Sequence, residues 1–278
     1  LFSEINFKMK KTIAFVGFMV IVLACATNPF TGKKTLNFVP NSQLFPMAFQ
    51  QYGTFLKENK VLSGTADAMM VENIGIKIKN ASERWLKANG HADYLDGYQW
   101  EYKLVESKDV NAWCMPGGKI VVYTGILPIT KDEAGLATVM GHEVSHALAN
   151  HGAQRMSAAQ LQQIGAVGVA VATSGKTQET QAIFQQAYGL GSQVGVMLPF
   201  SRSHETEADK IGLILMALAG YNPDQAVFFW ERMSAKAGGQ APPEFMSTHP
   251  SDATRIANIR KLIPEAKAEA AKFGVVFK

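Results

Sequence analysis

Gly141-His142-Glu143-Val144-Ser145-His146 is the stretch from which the rest of the chain is read. Two histidines four residues apart, with a glutamate after the first, form an H-E-x-x-H pattern. On an α-helix, positions i and i+4 share one face roughly 5–6 Å apart at Cβ, so both imidazoles can reach one Zn²⁺ at about 2.0–2.1 Å. Glu143 lies one helical step from His142 and cannot share its ligand position. It can instead hold the metal-bound water and take its proton. The flanks support a helix. Asp132 and Glu133 precede the proline-free run 134–148, in which Leu136, Val139, Met140, Val144, Ala147 and Leu148 recur at steps of three and four. Two histidines and an acid on so apolar a helix are costly to bury unless they find partners, and a cation supplies one.

A catalytic zinc usually takes three protein ligands and keeps one position for water. The histidines stand at 91, 142, 146, 151, 204 and 249. His151, carried forward on a continuous helix, falls about 140° around from His146 and is rejected as a ligand. The better segment is Ser201-Arg202-Ser203-His204-Glu205-Thr206-Glu207-Ala208-Asp209. Ser201 or Ser203 can start a helix there, which the apolar run 211–219 continues. Glu205 and Asp209 are i and i+4 on one face, while Glu207 points away. Glu205 can then serve as the third ligand and Asp209 as acceptor for a ligand imidazole N–H. A solvated acidic first turn meeting the helix dipole explains the same residues equally well.

His142-Glu143-x-x-His146 followed by Ser201-Arg202-x-x-Glu205-x-x-Ala208-Asp209 resembles the CaaX prenyl protease/HtpX/OMA-type zinc metallopeptidases, in particular their soluble branch of periplasmic lipoproteins. Asn28-Pro29-x-Thr31-Gly32 is similar to the segment after the lipid cysteine of such lipoproteins. Asn111-Ala112-x-x-x-Pro116-Gly117-Gly118 looks like the strand before their active-site helix, and Thr248-His249-Pro250 with Arg255 like their C-terminal motif. The resemblance implies one Zn²⁺ per chain held by His142, His146 and Glu205, with Glu143 as general base and Asp209 orienting a ligand histidine. It places His249 close to the metal, either stabilising an oxyanion or filling the open coordination position as a switch. Arg255 would steady the site. Without the resemblance, His249 reads as a turn histidine before Pro250. A repeat-bearing branch of the family carries further helices after the peptidase domain, and helices of that kind are not expected in this sequence.

The N-terminus reads separately. Lys8, Lys10 and Lys11 precede the apolar run 13–24, too short for a membrane span and the right length for a signal-peptide core. Val22-Leu23-Ala24-Cys25 resembles a lipobox. Residues 1–24 are therefore expected to be a lipoprotein signal peptide, 25–40 a tether lipidated at Cys25, and 41–278 the peptidase domain. By the same resemblance, Ala26 after the lipid cysteine implies anchoring in the outer membrane, facing the periplasm. The formal charge of +4 falls to +2 without residues 1–24. No Lys/Arg stripe interleaved with aromatics appears, so nucleic acid is not an expected partner. With Cys25 acylated, Cys114 has no disulfide partner and reads as a packed small residue.

The remaining elements make an α+β, mostly helical, zincin-like fold with a small sheet beside the metal helix. Helices are expected over 43–59 and 65–88, the latter with Met69-Met70 as core filling. The alternation of Tyr98, Trp100, Tyr102 and Leu104 predicts a strand, continued by 111–116, and a second strand follows over 119–125. By resemblance to zinc peptidases, the edge strand, with Asn111, Ala112, Pro116 and Gly117, is expected to hold an extended substrate by backbone hydrogen bonds, although a plain hairpin explains the same residues equally well. Residues 164–175 read as a loosely packed helix or a flap. Helices over 223–237 and 252–262 follow, and Pro264 then begins a separate last helix over 265–272. The expected activity is zinc-dependent endoproteolysis of unfolded or misassembled envelope proteins. The rival is a zinc-containing chaperone or assembly factor at the outer membrane, with proteolysis latent behind His249.

Overall fold

The computed structural model describes residues 25–193, 197–237, 244–249 and 253–277. The expected signal peptide, 1–24, lies outside the described residues, as does Pro250. In chain order the elements are β1 (Cys25–Thr27), β2 (Lys34–Leu36), α1 (Asn41–Glu58), β3 (Val61–Leu62), α2 (Ala66–Ala88), β4 (Glu101–Val105), β5 (Ala112–Met115) and β6 (Lys119–Tyr123). A 3₁₀ turn leads into α3 (Leu127–Thr130), then α4 (Glu133–Leu148), α5 (His151–Thr173), α6 (Gln178–Ser192), α7 (Leu198–Leu218), α8 (Gln225–Ala237), α9 (Glu244–Thr248) and α10 (Ala253–Lys272). Helix dominates, as the sequence implies, and the strands form one four-stranded sheet and one two-stranded ribbon.

The chain falls into two compact units, one built from 25–40 with Ala153–Gln193, the other from Asn41–Gly152 with the chain beyond 193. In the first, the expected tether is partly folded. β1 pairs antiparallel with β2, Gly32 turns between them at φ +67°, and the Asn28 side chain accepts from the Phe30 amide at 2.8 Å. α5 and α6 are tied by polar links rather than by a core. Tyr188 Oη donates to the Gln162 carbonyl at 3.1 Å and Gln185 Nε2 to the Ala166 carbonyl at 3.0 Å. No residue of α6 is buried, and Ile164, Val167, Val171, Ile183 and Phe184 face water.

The second unit holds the sheet, in the order β3-β4-β6-β5, with β6 parallel to β4 and antiparallel to β5. Of its two interior strands β6 is the more buried: Ile120, Val121 and Val122 are all inaccessible. β5 is therefore a sheet edge, and it lies against α4. Gly117 and Gly118 turn the β5–β6 hairpin at φ +84° and +88°. A Cβ at Gly117 would come within 2.5 Å of the Phe49 ring, so glycine is required there by both conformation and space.

α4 runs through the middle of this unit. Asp132 caps it by accepting from the Gly135 amide at 2.8 Å, and every residue from Gly135 to Leu148 is buried. It packs on α2, α7, α8 and β5. The crossing with α7 is close because Gly141 meets Gly212; a Cβ on Gly141 would sit 3.0 Å from the Gly212 carbonyl oxygen.

Several local expectations change. α7 starts at Leu198, with Pro199 in its first turn, so Ser201 and Ser203 lie inside the helix rather than capping it. α10 runs through Pro264 as one helix, because Ile259, Ile263, Ala266 and Ala270 form a buried stripe that holds both halves on the core. The one missing amide of proline is outweighed by that burial. Met69 is 52% exposed and fills no core. The expected strand over 98–105 is shorter, β4 alone, because Tyr94 to Tyr98 form turns.

Candidate metal centre

α4 presents His142 and His146 on one face, and the Gly141–Gly212 approach brings α7 against that face. Glu205 and Asp209, one turn apart on α7, both point into the gap. His142 Nε2 lies 3.1 Å from His146 Nε2 and 3.3 Å from Glu205 Oε2, while Glu205 Oε1 is 3.4 Å from His146 Nε2. His249, just after α9, completes the group: its Nδ1 is 3.2 Å from His142 Nε2 and 3.0 Å from Glu205 Oε2. The four ligand atoms lie within 4.8 Å of one another and all four residues are buried.

This arrangement fits one small cation. A tetrahedral zinc with arms of about 2.0–2.1 Å has donor atoms roughly 3.3 Å apart, and three imidazoles with one carboxylate are donors it accepts. His142 Nδ1 lies 3.0 Å from Asp209 Oδ1 and His146 Nδ1 lies 2.8 Å from His151 Nδ1. With both rings neutral and their protons on those outer nitrogens, the inner Nε2 lone pairs face each other across 3.1 Å, a repulsion that a zinc ion, or a proton on His142, removes.

Charge in the metal-free protein tells the same story. Burial opposes a charge on His142, but hydrogen bonds to Asp209 and Glu205 outweigh it and push its pKa up to about 9. His146 is held well below the usual histidine range, chiefly by burial, although Glu205 pulls the other way. Burial raises the Glu205 carboxyl, yet the three histidines bring it far below the carboxylate range. Asp209 is lowered too, with the Arg255 guanidinium overcoming the burial penalty. The pocket is built to hold positive charge between His142 and Glu205.

Arg255, on α10, grips Asp209 with two bonds, Nε to Oδ2 at 2.8 Å and Nη2 to Oδ1 at 2.7 Å, and reaches Glu205 Oε2 with Nη1 at 3.2 Å. Its guanidinium lies 3.7 Å from the Trp230 ring centroid. Glu143 Oε1 is 3.3 Å from His249 Nε2. The segment carrying His249 is fixed near β5, because the Phe245 amide donates to the Val110 carbonyl at 3.1 Å and Phe245 is fully buried.

The structure thus gathers His142, Glu143, His146, Glu205, Asp209, His249 and Arg255 into one cluster. Ala112 lies on β5 beside it; Asn111 precedes that strand, its side chain accepting from the Ala112 amide at 2.9 Å, and Pro116 and Gly117 form the turn after it. Cys25 belongs to β1 of the other unit. His151, rejected as a ligand, is no member of the donor group, but it borders the site together with His204 and Glu207, which the sequence does not assign to it. A helix continued through His151 turns it away from His146, whereas α4 stops at Leu148 and Asn150 turns the chain at φ +55°. Asparagine, a frequent left-handed residue at helix ends, was the available signal.

Comparison with known proteins agrees with this geometry. The chain is 34% identical over 206 residues to the mitochondrial metalloendopeptidase OMA1 of Saccharomyces cerevisiae, covering 72% of this chain and 56% of that protein. It is 36% identical over 193 residues to the Schizosaccharomyces pombe protein of the same name, covering 69% of this chain and 54% of that one. It is 30% identical over 166 residues to the β-barrel assembly-enhancing protease of Escherichia coli, covering 58% and 34%. The chain spans about half the length of the yeast relatives. Their names correct one expectation. The yeast relatives are mitochondrial proteins, which points away from a periplasmic lipoprotein anchored through Cys25 in a bacterial outer membrane. That placement rested on the apolar run and lipobox-like stretch over residues 1–26 and on the likeness of residues 28–32 to lipoproteins. Residues 78–263, more than half of the sequence and including every member of the cluster, match Peptidase family M48, and the chain belongs to that family.

Proposed function

We propose that this chain is a zinc-dependent endopeptidase for unfolded polypeptides, in which His142, His146 and Glu205 hold the metal. The observation that carries this is the convergence of those three donors, from two helices, at 3.1–3.4 Å spacing beside the Glu143 carboxylate. When bound, zinc supplies an acidified water and a Lewis acid for the peptide carbonyl. Glu143 takes the water proton at its carboxylate and returns it to the leaving amine nitrogen. Asp209 and Arg255 keep His142 turned so that Nε2 faces inward. β5 receives the substrate as an added strand: the Tyr123 amide donates to the Asn111 carbonyl, so in the antiparallel alternation Ala112 and Cys114 direct backbone groups outward. Extended chains fit such an edge and folded ones do not.

A second reading is supported by His249. Its Nδ1 fills the fourth corner of the donor group and its Nε2 faces Glu143, where a substrate carbonyl or water would otherwise lie. Four protein donors make a closed site. On this reading the protein acts chiefly as a chaperone or assembly factor, with proteolysis released when His249 withdraws.

The test is digestion of a denatured, alkylated protein by the purified chain with zinc, with and without chelator. Chelator and Glu143→Gln should each abolish cleavage, the variant still binding one zinc. Cleavage that survives either treatment overturns the peptidase reading.

A further inference from the structure

We propose that His151 is a positioning residue for the metal centre: it accepts the Nδ1–H of His146 and so fixes which nitrogen His146 offers to zinc. The inference rests on zinc coordination through His146 Nε2. The two Nδ1 atoms are 2.8 Å apart, a full hydrogen bond, and both rings are buried. Two imidazole nitrogens at that distance must be one N–H and one lone pair. With zinc on His146 Nε2, the proton of that ring sits on Nδ1, and His151 Nδ1 must be the bare acceptor. His151 then carries its own proton on Nε2, which lies 3.8 Å from Glu207 Oε2, the carboxylate that favours a proton on that side.

The surroundings keep this ring in place. His204 stacks on it with centroids 4.0 Å apart and planes 14° apart, and His204 is the residue before Glu205 on α7. The turn at Asn150 swings His151 back over the end of α4; the Tyr94 hydroxyl donates to the Leu148 carbonyl at 2.6 Å, and Asn150 Nδ2 to that hydroxyl at 3.3 Å. The two ligand histidines are therefore oriented by different chemistry. His142 gives its outer N–H to a carboxylate clamped by arginine, and His146 gives its own to a neutral imidazole backed by Glu207.

Two substitutions separate positioning from bulk. Asn places its Oδ1 where His151 Nδ1 stood, and Gln places its Oε1 where Nε2 stood. Zinc affinity is measured by competition with a chromogenic chelator. His151→Asn should stay within about threefold of wild type, whereas His151→Gln and His151→Phe should bind zinc about 10–100-fold more weakly. Equal affinity in all three, or the loss in Asn but not Gln, overturns the proposal. A wild-type chain that binds no zinc would instead refute the metal site itself. If the variants do not fold, ¹⁵N-histidine NMR of the wild-type zinc protein decides: His151 must show a bare Nδ1 and a protonated Nε2, and the opposite tautomer overturns the proposal.

Discussion

Gly212 faces the backbone of His142 so closely that a Cβ built on it would lie 2.9 Å from the His142 amide nitrogen. Because the obstacle is backbone, it cannot turn aside as a side chain would. Gly212→Ala must push α7 off α4 and carry Glu205 away from the imidazole pair. We expect a loss of about 1–3 kcal/mol of stability, despite the better helix propensity of alanine, together with weaker zinc retention. Thermal unfolding with and without zinc measures both. A variant with unchanged melting and full zinc content would mean that the close crossing is dispensable.

Arg255→Lys keeps the charge and removes the fork. Lysine can neither bond Asp209 through two nitrogens nor lie flat on Trp230. Asp209 would keep the His142 N–H but exchange two guanidinium bonds for at most one weaker ammonium contact, at a cost of roughly 2–3 kcal/mol. The expected result is a lower melting temperature and faster zinc loss, read by denaturation and by chelator challenge.

His249→Ala distinguishes the two functional readings. Where His249 blocks the fourth corner, its removal should raise cleavage of a denatured substrate several-fold while zinc is held somewhat less tightly. A fall in cleavage at saturating zinc would assign His249 to the reaction itself.

The metal-free protein should lose stability as pH rises. His142 has a folded pKa of about 9, against about 6.5 for a free histidine. A raised histidine pKa contributes stability that is complete below pH ~6.5 and gone once pH passes the folded value, here worth roughly 3 kcal/mol. His146 acts oppositely, since its depressed pKa removes stability as pH falls below ~6.5. Denaturation of the chelated protein should therefore be hardest near pH 6.5 and easier at 9.5. Zinc, which replaces the His142 proton, should flatten the alkaline limb.

Much of this site was legible in sequence. His142, Glu143 and His146 follow from helical spacing, and Glu205 with Asp209 from the same rule applied to a second helix. Local periodicity says which residues share a face but not what that face meets. For this reason His249 and Arg255 entered only through family resemblance: they come from after α9 and from α10 and reach the metal group through tertiary packing. The contact of His151 with His146 is hidden because a left-handed asparagine ends the helix that periodicity alone would continue. Pro264 misled in the opposite direction, since a proline that ends an isolated helix is overridden when apolar residues on both sides of it share one core.

The complete burial of Gly135 to Leu148 has its own outcome for how the molecule breathes. An element with no wet side gives up its amide protons only when the unit around it comes apart, whereas α6, with no buried residue, can open by itself. The imidazole pair is thus mounted on a segment that should exchange slowly in deuterium, far more slowly than α6.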